Sequence, residues 1–471
     1  MQANDKMSFV FTLCLLLMTT EVDSRPMERP EENLSLERKI DECVQPYLDA
    51  GGFSGAILAA KDGRVLLCKG YGMANYELSS PNTPKTKFHI ASVSKTFTAA
   101  AVLLLEEEGR LSVSDPLAKF IPDYPQGERI TIHHLLTHTS GIPNVNDFPD
   151  YGRWSRFPHG LEEIVGWFKS RPLEFAPGER YAYSNSNYNL LALIIEKVSG
   201  EGYGDFLERH IFDPLEMKDT GHDAGPARLL ENRASGYVPS GASGIANAPY
   251  LDWSIKTGNG SLYSTVEDLY KWDRALAGEK ILKRAALEKL FAEHVKGIGY
   301  GWFVGERLGR RAVSYNGRSP GFTSSIDRFI DDDACVIILS NNYAPVPQLI
   351  VKDLDAILFG EPYLKPKALK PVQLTKDDME PLLGRYRFGK DFYRPEAVVT
   401  VETDGQNLVM AWNPEYKTPL MSLSPSEFLD RNFWARIVFK RDEQGRVTGL
   451  IWRDTADYPA AKLGTQYQFP N

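Results

Sequence analysis

"HIASVSKTFTAA", residues 89–100, puts two serines and a lysine at the front of a run that is apolar nearly all the way round. From Thr96 the run "TFTAAAVLLLEEEG" continues to three glutamates and Gly109, a usual helix stop. A helix that is apolar on every side is a buried one. Lys95 therefore stands near the start of a core helix, where its charge must be paired, solvated in a cleft or suppressed by desolvation. Ser92 lies three residues ahead of it. Positions i and i+3 share a helix face, so Ser92 Oγ and Lys95 Nζ are expected to meet, while Ser94 points elsewhere. A serine hydroxyl is a poor nucleophile until a neighbouring base takes its proton. A lysine that has shed its own proton can do so, and the N–H groups at a helix start favour an alkoxide and then an oxyanion. The plain alternative makes Ser92 a helix cap and Lys95 a surface residue. S-x-x-K is too short to decide alone, so the rest of the chain must.

The chain has 471 residues, 42% hydrophobic and 25% charged, enough for two domains or one large domain with an appendage. A net charge of -8 and the lack of a Lys/Arg run exclude a nucleic-acid partner. Lys6 precedes "SFVFTLCLLLMTT", an uncharged apolar stretch from Ser8 to Thr20 that suits a signal peptide and is short for a membrane span. Residues 1–24 are assigned to that signal, with cleavage between Thr20 and Ser24, giving a secreted or periplasmic protein. A retained anchor is the lesser option. Cys43, Cys68 and Cys335 remain, an odd number far apart and no disulfide framework; Cys68 and Cys335 sit in strand-like runs as small core residues.

"SGAILAAKDGRVLLCKGYG" reads as two strands around a Lys61-Asp62-Gly63 turn. Strand patterns return from Gly299 to Asn341 in "YGWFVG", "RRAVSYNG", "FTSSIDRFI" and "ACVIILSN". Between them lie turns and helices, among them "NLLALIIEKVSG" and a helix opened at Ser264 by a capping box with Glu267. An α+β fold is expected: an antiparallel sheet made from both ends of the region, flanked by helices, with a helical insertion. The first domain is placed at residues 35–360. Residues 361–375, rich in Pro and Lys, read as a linker. Residues 376–471 follow as a small β-domain, with hairpin turns at Asp404-Gly405 and Gly445.

Two further segments complete a constellation. Tyr183-Ser184-Asn185 brings a phenol that, near a cation, can take and return a proton, and an amide that can orient Lys95 and a substrate carbonyl. "SYNGRSPGF", residues 314–322, can supply an edge strand whose backbone N–H completes an oxyanion hole with that of Ser92. Its G-x-S-x-G at 317–321 also spells a nucleophile elbow, but Pro320 and a following strand argue against the helix that motif demands. His134 and His138, spaced i, i+4 in "TIHHLLTHTSG", suggest zinc, yet no acidic or thiol third ligand stands nearby and no metal is assigned.

In order and context, "FHIASVSKTFTAA", "LLTHTSGIP", "YAYSNSNYNLLALIIEKVSG", "GNGSLYSTVEDL" and "SPGF" resemble the beta-lactamase-related serine hydrolases: class C beta-lactamases, DD-peptidases and other penicillin-binding proteins, family VIII esterases and D-aminopeptidases. The resemblance spans about Glu37 to Phe359, and the tail resembles the small lipocalin-like β-domain often appended to these enzymes. It implies that Ser92 is acylated, Lys95 is its proton partner and Tyr183 is the general base or shuttle. Asn185 becomes an orienter, and the N–H groups of Ser92 and Arg318 the oxyanion hole. No metal or organic cofactor is implied. The family's third triplet, Lys-Thr-Gly or His-x-Gly, falls here on Tyr315-Asn316-Gly317. Tyr315 cannot supply the cation that helps bind a substrate carboxylate, and Arg318 is the candidate substitute. The expected function is an exported serine hydrolase acting on an amide or ester of cell-wall-type peptides. A carboxylesterase on small acyl esters is the alternative within catalysis, and a non-catalytic peptide-binding or sensor protein the alternative outside it.

Overall fold

The computed structural model describes residues 36–223, 229–414 and 416–464. The signal segment expected over residues 1–24 and the domain start at residue 35 lie outside the described residues. Five principal helices are α1 (Leu36–Asp49), α2 (Ser94–Glu107), α3 (Asn185–Ser199), α4 (Val266–Ala277) and α5 (Val346–Phe359). The strands of the main sheet are β1 (Gly55–Lys61), β2 (Arg64–Tyr71), β3 (Phe303–Arg307), β4 (Arg310–Ser319), β5 (Phe322–Phe329) and β6 (Ala334–Ser340).

Asp62 (φ 52°) and Gly63 (φ 69°) adopt the left-handed backbone that a two-residue hairpin turn needs, and they set Lys61 opposite Arg64. The other edge of β1 pairs antiparallel with β6, from Gly55 opposite Ser340 to Lys61 opposite Ala334. The order β3-β4-β5-β6-β1-β2 thus joins the first strands of the domain to the last, as expected from the two separated strand regions. Both faces of its centre are covered. Ile57, Ala59, Val336 and Ile338 pack against α1 and α5, while Leu58, Ala60, Ile337 and Leu339 join the larger core with Phe97, Leu103 and Trp272. The insertion between β2 and β3 is mainly helical and also carries three small sheets, one of which joins Phe88–His89 to Leu262–Ser264.

The start of α4 differs by one residue from the expected capping box. Thr265 is the cap and accepts from Asp268 N at 3.1 Å. Ser264 is held in its strand opposite Phe88, and its hydroxyl is bonded to Thr220, so it is not available to cap.

The C-terminal part is a closed antiparallel barrel of eight strands between Gly384 and Lys462, its first strand pairing with its last. Gly405 and Gly445 turn two of its hairpins with positive φ. Tyr386, Phe388, Met410, Phe428, Phe439 and Trp452 fill its interior, which is a packed core. The barrel is bolted to the first domain. Arg431 is fully buried, and its guanidinium donates to the carbonyls of Ser240, Gly241 and Gly244 and to those of Ala50 and Gly51. Trp434 packs on Tyr47 and lies where Gly52 lacks a Cβ. The connecting segment 361–375 has no helix or strand but is pinned at both ends, by Lys365 to Glu42 at 2.8 Å and by Val372 N to Ser422 O at 3.0 Å.

Candidate active site

Ala91 has φ 48°, a left-handed conformation that costs a residue with a Cβ on the order of 1–3 kcal/mol. The kink sets Ser92 in a short 3-10 turn, Ala91–Val93, and α2 proper begins at Ser94 rather than at Ser92 as expected. The i, i+3 relation survives: Lys95 Nζ donates to Ser92 Oγ at 3.1 Å. Ser94 does point elsewhere, accepting from Leu262 N at 3.2 Å.

Lys95 is fully buried. Besides Ser92, its ammonium donates to Asn185 Oδ1 at 2.9 Å and to the carbonyl of Asn259 at 2.6 Å. Three N–H groups thus meet three uncharged oxygens, which satisfies the donor capacity of an ammonium. Ser92 Oγ also lies 2.9 Å from Tyr183 OH. The predicted hydroxyl, ammonium, phenol and amide therefore converge, although Tyr183 and Asn185 stand some ninety residues from Ser92.

Their supports were not all anticipated. Asn185 opens α3, and its backbone N–H and side-chain amide donate to Asn144 Oδ1 and Asn146 Oδ1, each at 3.0 Å. His138, which the sequence suggests only as a metal ligand, brackets Tyr183 instead. It accepts from Ala182 N through its carbonyl at 2.9 Å and from Ser184 N through Nδ1 at 3.2 Å, with its ring 4.5 Å from the Tyr183 ring. Burial first, and then the Lys95 charge, hold the His138 imidazole well below its ordinary pKa, so it stays neutral beside the ammonium. Asn259 O is presented by the 256–260 turn, which is fixed by Thr98 Oγ1 on Gly258 O at 2.7 Å and Asn189 Nδ2 on Thr257 O at 2.8 Å. That turn begins with Lys-Thr-Gly at 256–258.

β3 accompanies β4 only as far as Ser314, so the distal part of β4 is the outer edge of the sheet. There Gly317 lies against the nucleophile turn: a Cβ on it would sit 2.8 Å from Ser92 N and 2.4 Å from Ile90 O. Asn316, opposite Ser325, alternates to the other face of the strand. Tyr315 is buried and stacks flat on Phe303, with ring centroids 4.8 Å apart, as part of the core wall.

The Arg318 side chain corrects an expectation. Its guanidinium does not replace the missing cation; it donates to the carbonyls of Tyr343 and Asn432 and stacks 3.8 Å over Tyr343, tying the edge strand to the barrel. An arginine one residue past Gly317 alternates to the face opposite Ser92, and only its backbone remains available to the site. Ser319 ends β4 and Gly321 (φ 82°) turns the chain into β5, a hairpin with no nucleophile elbow.

The model of the Beta-lactamase family matches residues 40–358, most of the described first domain. The chain belongs to the Beta-lactamase family. Penicillin-binding protein 4* of Bacillus subtilis is 29% identical over 87% of this chain and 95% of its own length. The octameric penicillin-binding protein homologue from Pyrococcus abyssi superposes with a TM-score of 0.62 at 26% identity, covering 91% of this chain and all of that one. The D-amino acid amidase of Ochrobactrum anthropi SV3, solved with L-phenylalanine amide, gives 0.61 at 25% identity, covering 69% and 97%. The α+β domain thus has the beta-lactamase/transpeptidase-like fold, and this Beta-lactamase family member is a serine hydrolase.

Proposed function

We propose that the protein is an exported hydrolase that forms an acyl-enzyme on Ser92 and cleaves amide bonds in small peptides of the cell-wall type. The observation that carries this reading is the position of Ser92 Oγ, shared between Tyr183 OH at 2.9 Å and Lys95 Nζ at 3.1 Å. With the Lys95 protons committed to three oxygens, the ammonium acts as a fixed charge and Tyr183 as the base. Tyr183, its own proton lost to solvent and its phenolate charge balanced by the Lys95 ammonium, takes the Ser92 proton as Oγ bonds to the carbonyl carbon. The oxyanion is held by the N–H of Ser92 and a backbone N–H of the β4 edge. On collapse the C–N bond breaks and Tyr183 returns the proton to the leaving nitrogen. Water then adds to the ester carbonyl, losing its proton to Tyr183, which passes it to Ser92 Oγ as the C–O bond breaks, leaving the free acid, the Ser92 hydroxyl and the Tyr183 phenolate. Relatives named as penicillin-binding proteins and as a D-amino acid amidase support amides as substrates, and the apolar stretch at residues 8–20 supports export. Tyr315, in place of the family's cation, favours a second reading, turnover of small neutral esters.

The test is intact-mass analysis and turnover for protein beginning near residue 25, given a D-Ala-D-Ala peptide, a penicillin and activated short-chain esters. A Ser92-bound acyl group that is absent in Ser92→Ala and retained in Ser319→Ala is the expected result. Labelling that survives Ser92→Ala would overturn the assignment, and no adduct from any donor would turn the reading to a binding protein.

A further inference from the structure

Among the described residues four cationic side chains are buried: Lys95, Lys256, Arg328 and Arg431. Lys95 and Arg431 are bonded to the oxygens named for them, and Arg328 is bonded to Asp273. Lys256 differs. It is 6% exposed, and among the described residues its ammonium meets no hydrogen-bond acceptor and forms no ion pair; it lies 5.2 Å over the ring of Tyr151. The carboxylate that acts on it is Asp147, which is engaged by Asn144 Nδ2 at 3.2 Å.

The backbone of Lys256 lies in the turn that holds the Lys95 ammonium. The Lys256 carbonyl accepts from Asn259 N at 2.9 Å and Gly260 N at 2.8 Å, and Asn259 in turn receives the Lys95 ammonium. A Cβ on Gly260 would lie 3.5 Å from the Ala91 carbonyl carbon and 3.6 Å from Lys256 Cβ, so Gly260 packs directly between Lys256 and the nucleophile turn. Tyr151 and Asp147 belong to the same segment as Asn144 and Asn146, which hold Asn185. An ammonium taken out of water without acceptors is costly, and a carboxylate supplies what it lacks.

Resting on the hydrolase reading above, we propose that Lys256 is the anion anchor of this site and selects substrates that carry a carboxylate, a task moved from β4 to the 256–260 turn. Burial brings the Lys256 ammonium down to about 7, and a bound carboxylate would restore its charge.

The test uses chain beginning near residue 25 and three amides matched in size: one neutral, one with a carboxylate on the acyl half, one with it on the leaving half. The expected result is a ten- to hundredfold higher kcat/KM for one carboxylate-bearing amide, carried in KM. The arm that wins identifies the half recognised. Lys256→Met should collapse the preference to within threefold and Lys256→Arg keep part of it, with the Tm of Lys256→Met equal to or above wild type because an unbonded buried charge is gone. Equal discrimination by wild type and Lys256→Met, or a uniform loss across all three amides, overturns the proposal and points to a solvated structural lysine. If Lys256→Met does not fold, Lys256→Gln carries the same ratio. Turnover of the amides without Lys256-dependent discrimination sinks this proposal alone, whereas no Ser92 adduct from any donor sinks the hydrolase reading with it.

Discussion

Gly317→Ala adds one methyl group where no space exists for it. The new carbon would stand 2.4 Å from Ile90 O, 2.5 Å from Ser324 Oγ and 2.8 Å from Ser92 N. Two of these atoms are backbone, and Ser324 Oγ itself donates to Ile90 O at 2.7 Å, so no flexible side chain can yield. Relief requires β4 to move away from the nucleophile turn, which separates the edge N–H from the N–H of Ser92. Misaligning one oxyanion donor costs about 3 kcal/mol, or roughly 10²–10³ in kcat. Overpacking costs the fold on the order of 1–3 kcal/mol as well. The two effects are separable, because kcat is measured on folded protein well below Tm. The assay is steady-state hydrolysis of the best Ser92-dependent substrate, with the acylation rate followed by intact mass. Gly160→Ala, at a glycine with nothing within 4 Å, is the control and should match wild type. A Gly317→Ala enzyme that keeps kcat within threefold would refute the placement of the oxyanion hole between Ser92 and β4.

Tyr183→Phe keeps the ring against His138 and removes only the proton carrier. Its kcat should fall by about two orders of magnitude or more with little change in Tm, and an unaltered rate would make Lys95 the base. Arg318→Met releases the edge strand from Tyr343 and Asn432 while leaving Gly317 in place. Its kcat should drop about tenfold, some 1.4 kcal/mol, and stopped-flow acylation would show whether the loss falls on that step. Asp430 is buried beside the barrel's docking loop, and burial lifts its carboxyl from 3.8 to about 6. Between those pH values the folded chain holds the proton more tightly than the unfolded one. Its contribution to stability is therefore full below about pH 4 and is lost as pH rises to about 6, a decline of about 3 kcal/mol. Asp430→Asn should flatten that part of the stability profile in chemical denaturation from pH 4 to 7, and an unchanged slope would mean the proton resides elsewhere.

Local order makes much of this protein legible in its sequence. The three-residue step from Ser92 to Lys95 is a property of one helical turn, and it survives even though Ala91 breaks the helix expected to begin at Ser92. The Asp62-Gly63 hairpin and the glycine turns of the barrel are local for the same reason: left-handed backbone is available chiefly to a few residue types. The one-residue error at the start of α4 arises because Ser264 and Thr265 are equally good caps, and strand pairing with Phe88 removes the first.

Residue type, local spacing and motif order determined the two-part architecture and the Ser92, Lys95, Tyr183 and Asn185 set. Tertiary structure alone decided which carbonyl would hold Lys95, that His138 supports a phenol, that Arg318 ties the β4 edge to the barrel, and that Lys256 is buried with no acceptor among the described residues. Those outcomes rest on pairs far apart in the chain, 164 residues between Lys95 and Asn259 and 114 between Arg318 and Asn432. No short-range periodicity encodes such distances; they exist only once the sheet has joined its first strands to its last.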